Sequence, residues 1–534
     1  MRSNRFLLGT LATAALLTLA ACGGGGDSDD VTIDLSNDRG SIQRNPPTLL
    51  AERTNVAFTT ALRFNADGSA NANGQAILEL AGVPPTTDTA FLPCGVDVRY
   101  LQYGTVGSAG EKTNASGVLY LPTGAGCTGP RPIVLHAHGT TTAKDYNLAL
   151  LGSTNAAAGE TTIIAAMYAA KGMIVVAPNY AGYEQSSLGY HPYLHADQQS
   201  KDMIDALTAA RKAIAKINGP VSDNGKLLLT GYSQGAHVAM ATARALRAAG
   251  QPVTALAGGS GPYALAAFAD DIFRSAPETV GAKSGPIVGG TLFAPLLTNS
   301  WQRAYGNLYT SASELYNATW ATGIESLLPT TLTDAQLFGV PPNTPKLPQA
   351  ALFDADLPGG VVGSPFYGAT TGSGLIKTSY AAAVQSDIAA QPCATGSSPA
   401  TCTPAHPLRV AAKANDLRTG WQAGYLTFPI FMCGGADDPT VYYSNTERTQ
   451  AYFLGLGMPA QFVRALDLKV AQTGDSTAIT NLKAAFQARI TRIATEAGAN
   501  ALAAVAQNYH ATVAPFCSAA TAGFFSQVLN PPVP

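Results

Sequence analysis

The residues that define the architecture are Leu227-Leu228-Leu229-Thr230-Gly231-Tyr232-Ser233-Gln234-Gly235-Ala236, followed by an Ala-rich stretch to Leu246. Residues 227–230 form a short apolar run that is typical of a strand buried on both faces. The Ala-rich stretch favours a helix. Glycines on both sides of Ser233 permit a sharp turn where the strand and helix backbones come close. The sequence therefore predicts a strand, a tight turn that carries Ser233, and a helix.

Apolar runs of the same kind recur along the chain. They cover residues 132–135, 173–177, 253–257 and 430–433, and residues 97–106 and 117–121 also read as strands. Between two of these runs, apolar residues recur at three- and four-residue steps from Met203 to Ile217, as an amphipathic helix requires. Buried strands that alternate with helices predict an α/β fold, with a mostly parallel sheet and helices on both faces.

The pattern changes between residues 263 and 419. Aromatic residues are frequent there, as in 301–320, a stretch that we expect to be helical. Strand-like sequence resumes only near Phe428. We therefore expect a large, mainly helical cap at 263–419, inserted between a first part of the core, 46–262, and a second part, 420–534.

The N-terminus has the composition of an export signal. Two arginines precede an apolar run that ends Leu19-Ala20-Ala21-Cys22, and this run is shorter than the roughly 20 residues that cross a bilayer. The ending resembles the bacterial lipobox, which implies a signal peptide over 1–21, lipidation of Cys22 and a flexible tether over 22–45. The expected location is the outer membrane, on its periplasmic or outer side. An ordinary signal peptide with an incidental cysteine is the alternative.

Beyond Cys22 there are six cysteines, an even number in a chain bound for an oxidising compartment. Spacing favours the disulfides Cys94–Cys127, Cys393–Cys402 and Cys433–Cys517, one of several possible pairings.

Charged residues make up only 12% of the chain and the net charge is -2. This composition argues against a nucleic-acid partner, because no excess of Lys and Arg is present to neutralise phosphates.

Ser233 lies in the pattern Gly-x-Ser-x-Gly, which occurs once in the sequence. A serine hydroxyl is a poor nucleophile at neutral pH and needs a base within hydrogen-bond reach. In hydrolases with this strand-turn-helix the order along the chain is serine, acid, histidine. His510, the last of the seven histidines, is therefore the expected base, in what its neighbours 508–512 suggest is a loop. A capping or core histidine is the alternative.

The acid should follow a late strand, and both Asp437 and Asp438 follow the run 430–433. Asp438 fits the spacing Gly-x-x-Asp-x-x-Val and is the expected acid, with Asp437 as the alternative. Its carboxylate would hold the imidazole in the required tautomer and stabilise the imidazolium.

Two backbone N–H groups are expected to stabilise the negative charge that develops on a substrate carbonyl oxygen. One belongs to Gln234, directly after the serine. The other belongs to Thr140 in the His136-Ala137-His138-Gly139-Thr140-Thr141 stretch, with Thr141 as the less favoured donor. A metal pair at His136 and His138 is a weak alternative, because Thr140 stands where metallo-hydrolases of that kind continue with aspartate. No metal and no cofactor are expected.

The remaining histidines are given lesser roles. His191 and His195 open a helix and are expected to cap it or to be solvated. His237 is expected to be packed.

Taken together, Ser233, Asp438, His510 and the loop 138–141 resemble the bacterial branch of the secretory lipase group of α/β-hydrolases, which includes fungal lipase A-type enzymes. Residues 176–183 and 231–237 are the other specific parts of this resemblance. It implies an α/β-hydrolase fold, ester hydrolysis without a cofactor, and a helical cap between nucleophile and acid.

The expected function is therefore that of a secreted serine carboxylic-ester hydrolase. It would act through an acyl-enzyme on hydrophobic acyl or aryl esters, including polyesters, and its only attachment to a membrane would be the lipid anchor. A serine exopeptidase of the same fold and a non-catalytic surface lipoprotein are the alternatives. Oligomeric state is left open.

Overall fold

The computed structural model describes residues 38–86, 89–274, 283–349, 351–354, 357, 373–393 and 399–531. The predicted signal peptide, Cys22 and the tether up to residue 37 lie outside these residues.

The described strands form one nine-stranded sheet in the order β1-β2-β3-β5-β4-β6-β7-β8-β9. They are β1 Thr48–Arg53, β2 Gly95–Val106, β3 Lys112–Thr123, β4 Gly129–Ala137, β5 Ile174–Pro178, β6 Val221–Tyr232, β7 Ala255–Gly259, β8 Ile430–Gly434 and β9 Val463–Asp467. From β5 across to β9 all neighbours are parallel, whereas β1, β2 and β3 are joined antiparallel. The predicted mostly parallel sheet is confirmed.

Helices connect the parallel strands, as such neighbours require, and others lie between β1 and β2 and after β9. They are α1 Asn55–Arg63, α2 Ala72–Leu80, α3 Ala158–Met167, α4 Ala196–Ile217, α5 Gln234–Ala248, α6 Leu265–Phe273, α7 Gly290–Tyr305, α8 Ala312–Leu315, α9 Ala318–Ala321, α10 Asp334–Leu337, α11 Thr378–Ala390, α12 Pro407–Ala414, α13 Ser444–Gly455, α14 Thr477–Ala497 and α15 Ala501–Leu529. Helices α4 and α5 pack on each other and on the sheet, and α15 packs on α3, β7 and β8.

Helices α14 and α15 follow each other closely at the end of the chain described by the structure. By length and composition the span Thr477–Leu529 could cross a membrane. Within it, α15 buries Val513, Phe516 and Phe525 in the main hydrophobic core. Its apolar composition therefore follows from packing against the sheet.

The segment between β7 and β8 carries α6 to α12 and has a hydrophobic core of its own, which includes Phe268, Trp301 and Leu352. The expectation of one helical stretch over 301–320 is wrong. Helix α7 ends at Tyr305 because Gly306 follows in the left-handed conformation, with φ of 71°. This is a common way for a helix to end, and only the short helices α8 and α9 follow.

Candidate active site

Ser233 occupies the turn between β6 and α5 in a strained backbone conformation. Its φ is 55° and its ψ is -124°, outside the regions that residues with a Cβ usually adopt. A Cβ on Gly231 would lie 2.3 Å from the carbonyl oxygen of Gly235, and one on Gly235 would lie 1.9 Å from that of Ala137. Both glycines are therefore needed for the backbone to pass so closely, and the turn presents Ser233 at the end of the strand.

Asp438 and His510 form a buried pair. The Asp438 side chain is fully buried, and its Oδ2 lies 2.7 Å from Nδ1 of His510. Oδ1 accepts hydrogen bonds from the backbone N–H groups of Thr440 and Val441, at 2.9 and 3.1 Å. An ionised carboxylate only accepts, so Nδ1 carries the proton and Nε2 of His510 is left with a lone pair. Nε2 is buried and has no hydrogen-bond partner in the described part of the chain.

The structure separates the two candidate acids. The Asp437 side chain is 51% exposed and its Oδ2 lies 2.7 Å from Nζ of Lys469. Asp438 is the carboxylate in contact with His510. Asp437 therefore lies on the surface, and its exposed ion pair with Lys469 contributes little to stability.

His510 lies in α15, so the expectation of a loop around it is wrong. Within this helix Tyr509, Val513 and Phe516 are buried at spacings of four and three residues, which mark the face that packs on the core. Burial of that face maintains the helix through Asn508, a residue whose low helix propensity suggested a loop.

Ser233 and His510 are linked through the residue before the serine. The Tyr232 hydroxyl donates a hydrogen bond to the backbone carbonyl of His510 and lies 3.4 Å from its Nδ1. Among the described contacts there is no direct hydrogen bond between Ser233 Oγ and His510 Nε2. In unliganded enzymes such contacts are often loose and tighten when substrate binds.

A disulfide joins the elements that carry the acid and the base. Cys433 in β8 is bonded to Cys517 in α15. Cys433 lies five residues before Asp438, and Cys517 lies two helical turns after His510, on the same face of the helix. The other two disulfides are Cys94–Cys127 and Cys393–Cys402, so the three expected pairings are confirmed.

Replacing both Cys433 and Cys517 by alanine should destabilise the protein more than the same change at Cys393 and Cys402. The two loops span 84 and 9 residues, for which the chain-entropy model gives about 4.5 and about 2.5 kcal/mol. Thermal unfolding of the two variants checks this order. A smaller loss of thermal stability for the Cys433/Cys517 variant would contradict it.

The candidate oxyanion donors lie on either side of the turn. The N–H of Gln234 is in the first turn of α5, where N–H groups have no acceptor within the helix. A Cβ on Gly139 would lie 3.9 Å from that of Ser233, so the loop after β4 passes directly beside the serine. His138 Nδ1 lies 2.6 Å from the carbonyl oxygen of Gly139. Because the peptide is planar and trans, the N–H of Thr140 points away from His138.

The two histidines of this loop have partners other than a metal. His136 Nε2 lies 2.8 Å from a carboxylate oxygen of Glu160, and His138 stacks on Tyr180 with ring centroids 4.1 Å apart. Burial lowers the pKa of His138. Within the described ranges no group of three potential ligands is arranged to hold a metal ion.

The expectation for His191 and His195 is wrong. Both are buried, and His195 precedes α4 without a capping hydrogen bond from its side chain. His191 Nε2 instead lies 2.7 Å from Nε2 of Gln234. A histidine ahead of a helix gives no sequence signal for such a distant partner. His237 is packed as expected, with its Nε2 2.9 Å from the carbonyl oxygen of Asn415.

A cavity of about 110 Å³ begins at Ser233 and Gln234 and extends into the segment between β7 and β8. Its lining is mainly apolar and includes Leu265, Phe268, Ile272, Phe273, Phe293, Ala294, Leu297 and Trp301. Sequence reasoning did not identify these residues, because apolar side chains that line a cavity have the same pattern as those that fill a core.

The strand order and the turn at Ser233 define an α/β-hydrolase fold, and the solved structures that the chain resembles include esterases of this fold. The chain is similar to the rice cell wall degrading esterase LipA from Xanthomonas oryzae in a ligand-bound form. The two are 26% identical over 83% of this chain and 93% of that one, with a TM-score of 0.58. This likeness supports an ester hydrolase.

A Legionella pneumophila protein described as a hydrolase has the same fold, at 18% identity over 87% of this chain and 96% of that one, with a TM-score of 0.57. Candida antarctica lipase A is a more distant match, with 14% identity, 82% and 79% coverage and a TM-score of 0.44. No protein-family model and no curated protein matches the sequence.

Proposed function

We propose that the chain is an exported serine carboxylic-ester hydrolase. The observation that carries the proposal is the position of Ser233, which lies at a strained turn at one end of an apolar cavity. The Asp438–His510 pair lies beside it, and Tyr232, the residue before Ser233, is hydrogen-bonded to His510. Strain of this kind persists where the surrounding structure holds a functional side chain in place.

The proposed reaction passes through an acyl-enzyme. Ser233 Oγ attacks the ester carbonyl carbon while His510 Nε2 accepts its proton, and the alcohol leaves with that proton. Water then attacks the acyl-enzyme by the same route and releases the carboxylic acid. Asp438 stabilises the imidazolium, and the N–H groups of Gln234 and Thr140 stabilise each oxyanion. The residues of the chain supply every group that these steps require.

The cavity favours an ester with an apolar acyl or aryl group. Its aromatic and aliphatic lining offers burial of about 0.8 kcal/mol for each CH₂ group. The LipA structures describe an esterase that degrades the rice cell wall, and the apolar lining of the cavity suits an aryl or aliphatic acyl group. The segment between β7 and β8 would then act as a cap that selects substrate.

Release of p-nitrophenol from acetate, butyrate, octanoate and palmitate esters tests the proposal. Ala294 lines the cavity, so Ala294→Phe should reduce kcat/KM for the octanoate and palmitate esters by about tenfold and leave acetate hydrolysis within about twofold. Ala318→Phe, on an exposed part of α9, is the matched control. An equal loss on all four esters would argue against acyl binding in this cavity.

The two alternatives predict different results from the same protein. A serine exopeptidase would release p-nitroaniline from aminoacyl anilides at a readily measured rate, whereas an ester hydrolase would leave these anilides intact. A non-catalytic lipoprotein would hydrolyse neither while remaining folded. The buried Asp438–His510 pair favours the ester hydrolase over a protein without catalysis, because it leaves a basic nitrogen without a partner.

We also propose export and attachment through a lipid on Cys22. The three disulfides support export, since they persist in oxidising compartments. Metabolic labelling with palmitate, with Cys22→Ser as the control, tests the anchor.

A further inference from the structure

A single tripeptide, His191-Pro192-Tyr193, contacts both loops that carry the proposed oxyanion donors. His191 Nε2 lies 2.7 Å from the side-chain nitrogen of Gln234. The Tyr193 hydroxyl lies 2.9 Å from Oγ1 of Thr140. The tripeptide precedes α4, and all four of these residues are buried or half-buried. One short segment therefore spans the two sides of the proposed oxyanion hole.

The hydrogen bonds of His191 have a defined direction. Its Nδ1 lies 3.0 Å from the carbonyl oxygen of Ala181, which can only accept, so Nδ1 carries the proton. Nε2 of the neutral ring is then an acceptor, and the Gln234 amide must present its NH₂ group to it. Burial lowers the pKa of His191 to about 3, which keeps the ring neutral at ordinary pH. The ring thus fixes the orientation of the Gln234 side chain.

Ala181, which accepts the hydrogen bond from His191, is itself held by a buried carboxylate. The N–H of Ala181 donates to Oδ2 of Asp202 at 2.6 Å, and Asp202 also accepts from the Tyr103 hydroxyl at 2.6 Å. Asp202 is fully buried. A hydrogen-bonded chain therefore runs from the β2 strand through Ala181 and His191 to Gln234, and little side-chain freedom remains along it.

The loop after β4, which carries the Thr140 donor, is also held by hydrogen bonds from buried side chains. Besides Tyr193, which contacts Thr140, the Tyr183 hydroxyl donates to the carbonyl oxygen of Thr141 at 2.7 Å. Tyr180 donates to the carbonyl oxygen of His138 at 3.1 Å. These tyrosines bind the loop after β4 before and after the peptide that carries the Thr140 N–H, and they limit its rotation.

We propose that His191 and Tyr193 are positioning residues that fix the spacing of the two oxyanion donors. The inference rests on the proposed function. Neither side chain is hydrogen-bonded to Ser233 or His510 among the described contacts, and Tyr193 also lines the cavity that begins at Ser233. Each acts on the donor residue that it contacts, and preorganised donors are effective only when their positions are fixed before charge develops. The tripeptide contacts the side chains of Gln234 and Thr140, and through these contacts it restricts the residues whose backbone N–H groups are the donors.

Two substitutions at position 191 separate the contact with Gln234 from the contact with Ala181. In His191→Gln the terminal amide reaches the position of Nε2 and can still accept from Gln234. In His191→Asn the shorter amide can still donate to Ala181 but does not reach Gln234. We expect kcat for p-nitrophenyl butyrate to fall about tenfold in His191→Asn with KM within about twofold, and to stay within about threefold of wild type in His191→Gln.

Tyr193→Phe and Thr140→Val remove the hydroxyls on the second side and leave the Thr140 N–H in place. If the two hydroxyls act as a pair, each single variant and the double variant should lose about the same factor in kcat, about fivefold to tenfold. His237→Gln is the matched control, since it changes a buried histidine on α5 that contacts only Asn415 among the described hydrogen bonds. It should keep kcat within about twofold.

The inhibition constant of a trifluoromethyl ketone distinguishes positioning from a loss of folded protein. Such a ketone adds reversibly to the serine and places an oxyanion in the hole. Positioning predicts that this constant rises by the factor by which kcat/KM falls, whereas a smaller folded fraction lowers kcat and leaves the constant unchanged. An unchanged constant in both His191→Asn and Tyr193→Phe would overturn the inference. If Ser233→Ala retained full activity, the proposed function would fail instead.

Discussion

Replacing Ser233 by alanine should lower kcat for p-nitrophenyl butyrate by about 10⁴-fold or more, with the fold intact. The expected loss is large because without the hydroxyl no acyl-enzyme forms, and the remaining groups can only assist attack by water. Alanine at this position keeps the same backbone and removes one atom, so the strain at φ of 55° is unchanged.

Ser260→Ala is the matched control for this change. Ser260 is also a buried serine with a positive φ, 41°, and it directly follows the neighbouring strand β7. It should keep activity within a few-fold of wild type. Full activity in Ser233→Ala, or an equal loss in Ser260→Ala, would contradict the assignment of Ser233 as the nucleophile.

Replacing Asp438 by asparagine should lower kcat by about 10⁴-fold, close to the loss found when the acid of another serine hydrolase triad is changed in this way. Oδ2 of Asp438 accepts from Nδ1 of His510 at 2.7 Å. An asparagine that presents its NH₂ group there would favour the opposite tautomer, in which Nε2 carries the proton and cannot accept one from Ser233.

Asp437→Asn is the matched control, because Asp437 is the alternative acid and adjoins Asp438 in the sequence. Its carboxylate is half-exposed and pairs with Lys469, so its neutralisation should change kcat by less than about twofold. Kinetics of both variants at pH 8 decide between the two aspartates. A large loss in Asp437→Asn together with an active Asp438→Asn would reverse the assignment of the acid.

The sequence predicted the part of the fold whose signals are local. Continuous apolar runs such as 227–230 identified strands β4 to β8, and the glycines around Ser233 identified the turn, because both signals arise within a few residues. The predicted strand 227–230 extends to Val221–Tyr232, since the polar residues before the apolar run continue to pair with β4. The edge strands β1 and β9 were not predicted, as their half-exposed residues lack a continuous apolar run.

The predictions that failed depend on distant contacts. The environment of His510 is set by the packing of α15 on β7 and β8, which lies outside any local pattern. His191 was expected to cap a helix or to be solvated because it lies just before one, yet its partners Ala181 and Gln234 come from a different loop and a different helix. The cavity likewise arises from several helices together, and no one of them shows it alone.

The central claim is that Ser233 is the nucleophile, and labelling with a fluorophosphonate tests it most directly. The serine Oγ attacks phosphorus, fluoride leaves, and a stable adduct remains that peptide mass spectrometry can locate. The account predicts one adduct, on the peptide that contains Ser233, with loss of esterase activity in proportion to labelling. An adduct on another residue, or full loss of activity without modification of Ser233, would contradict it.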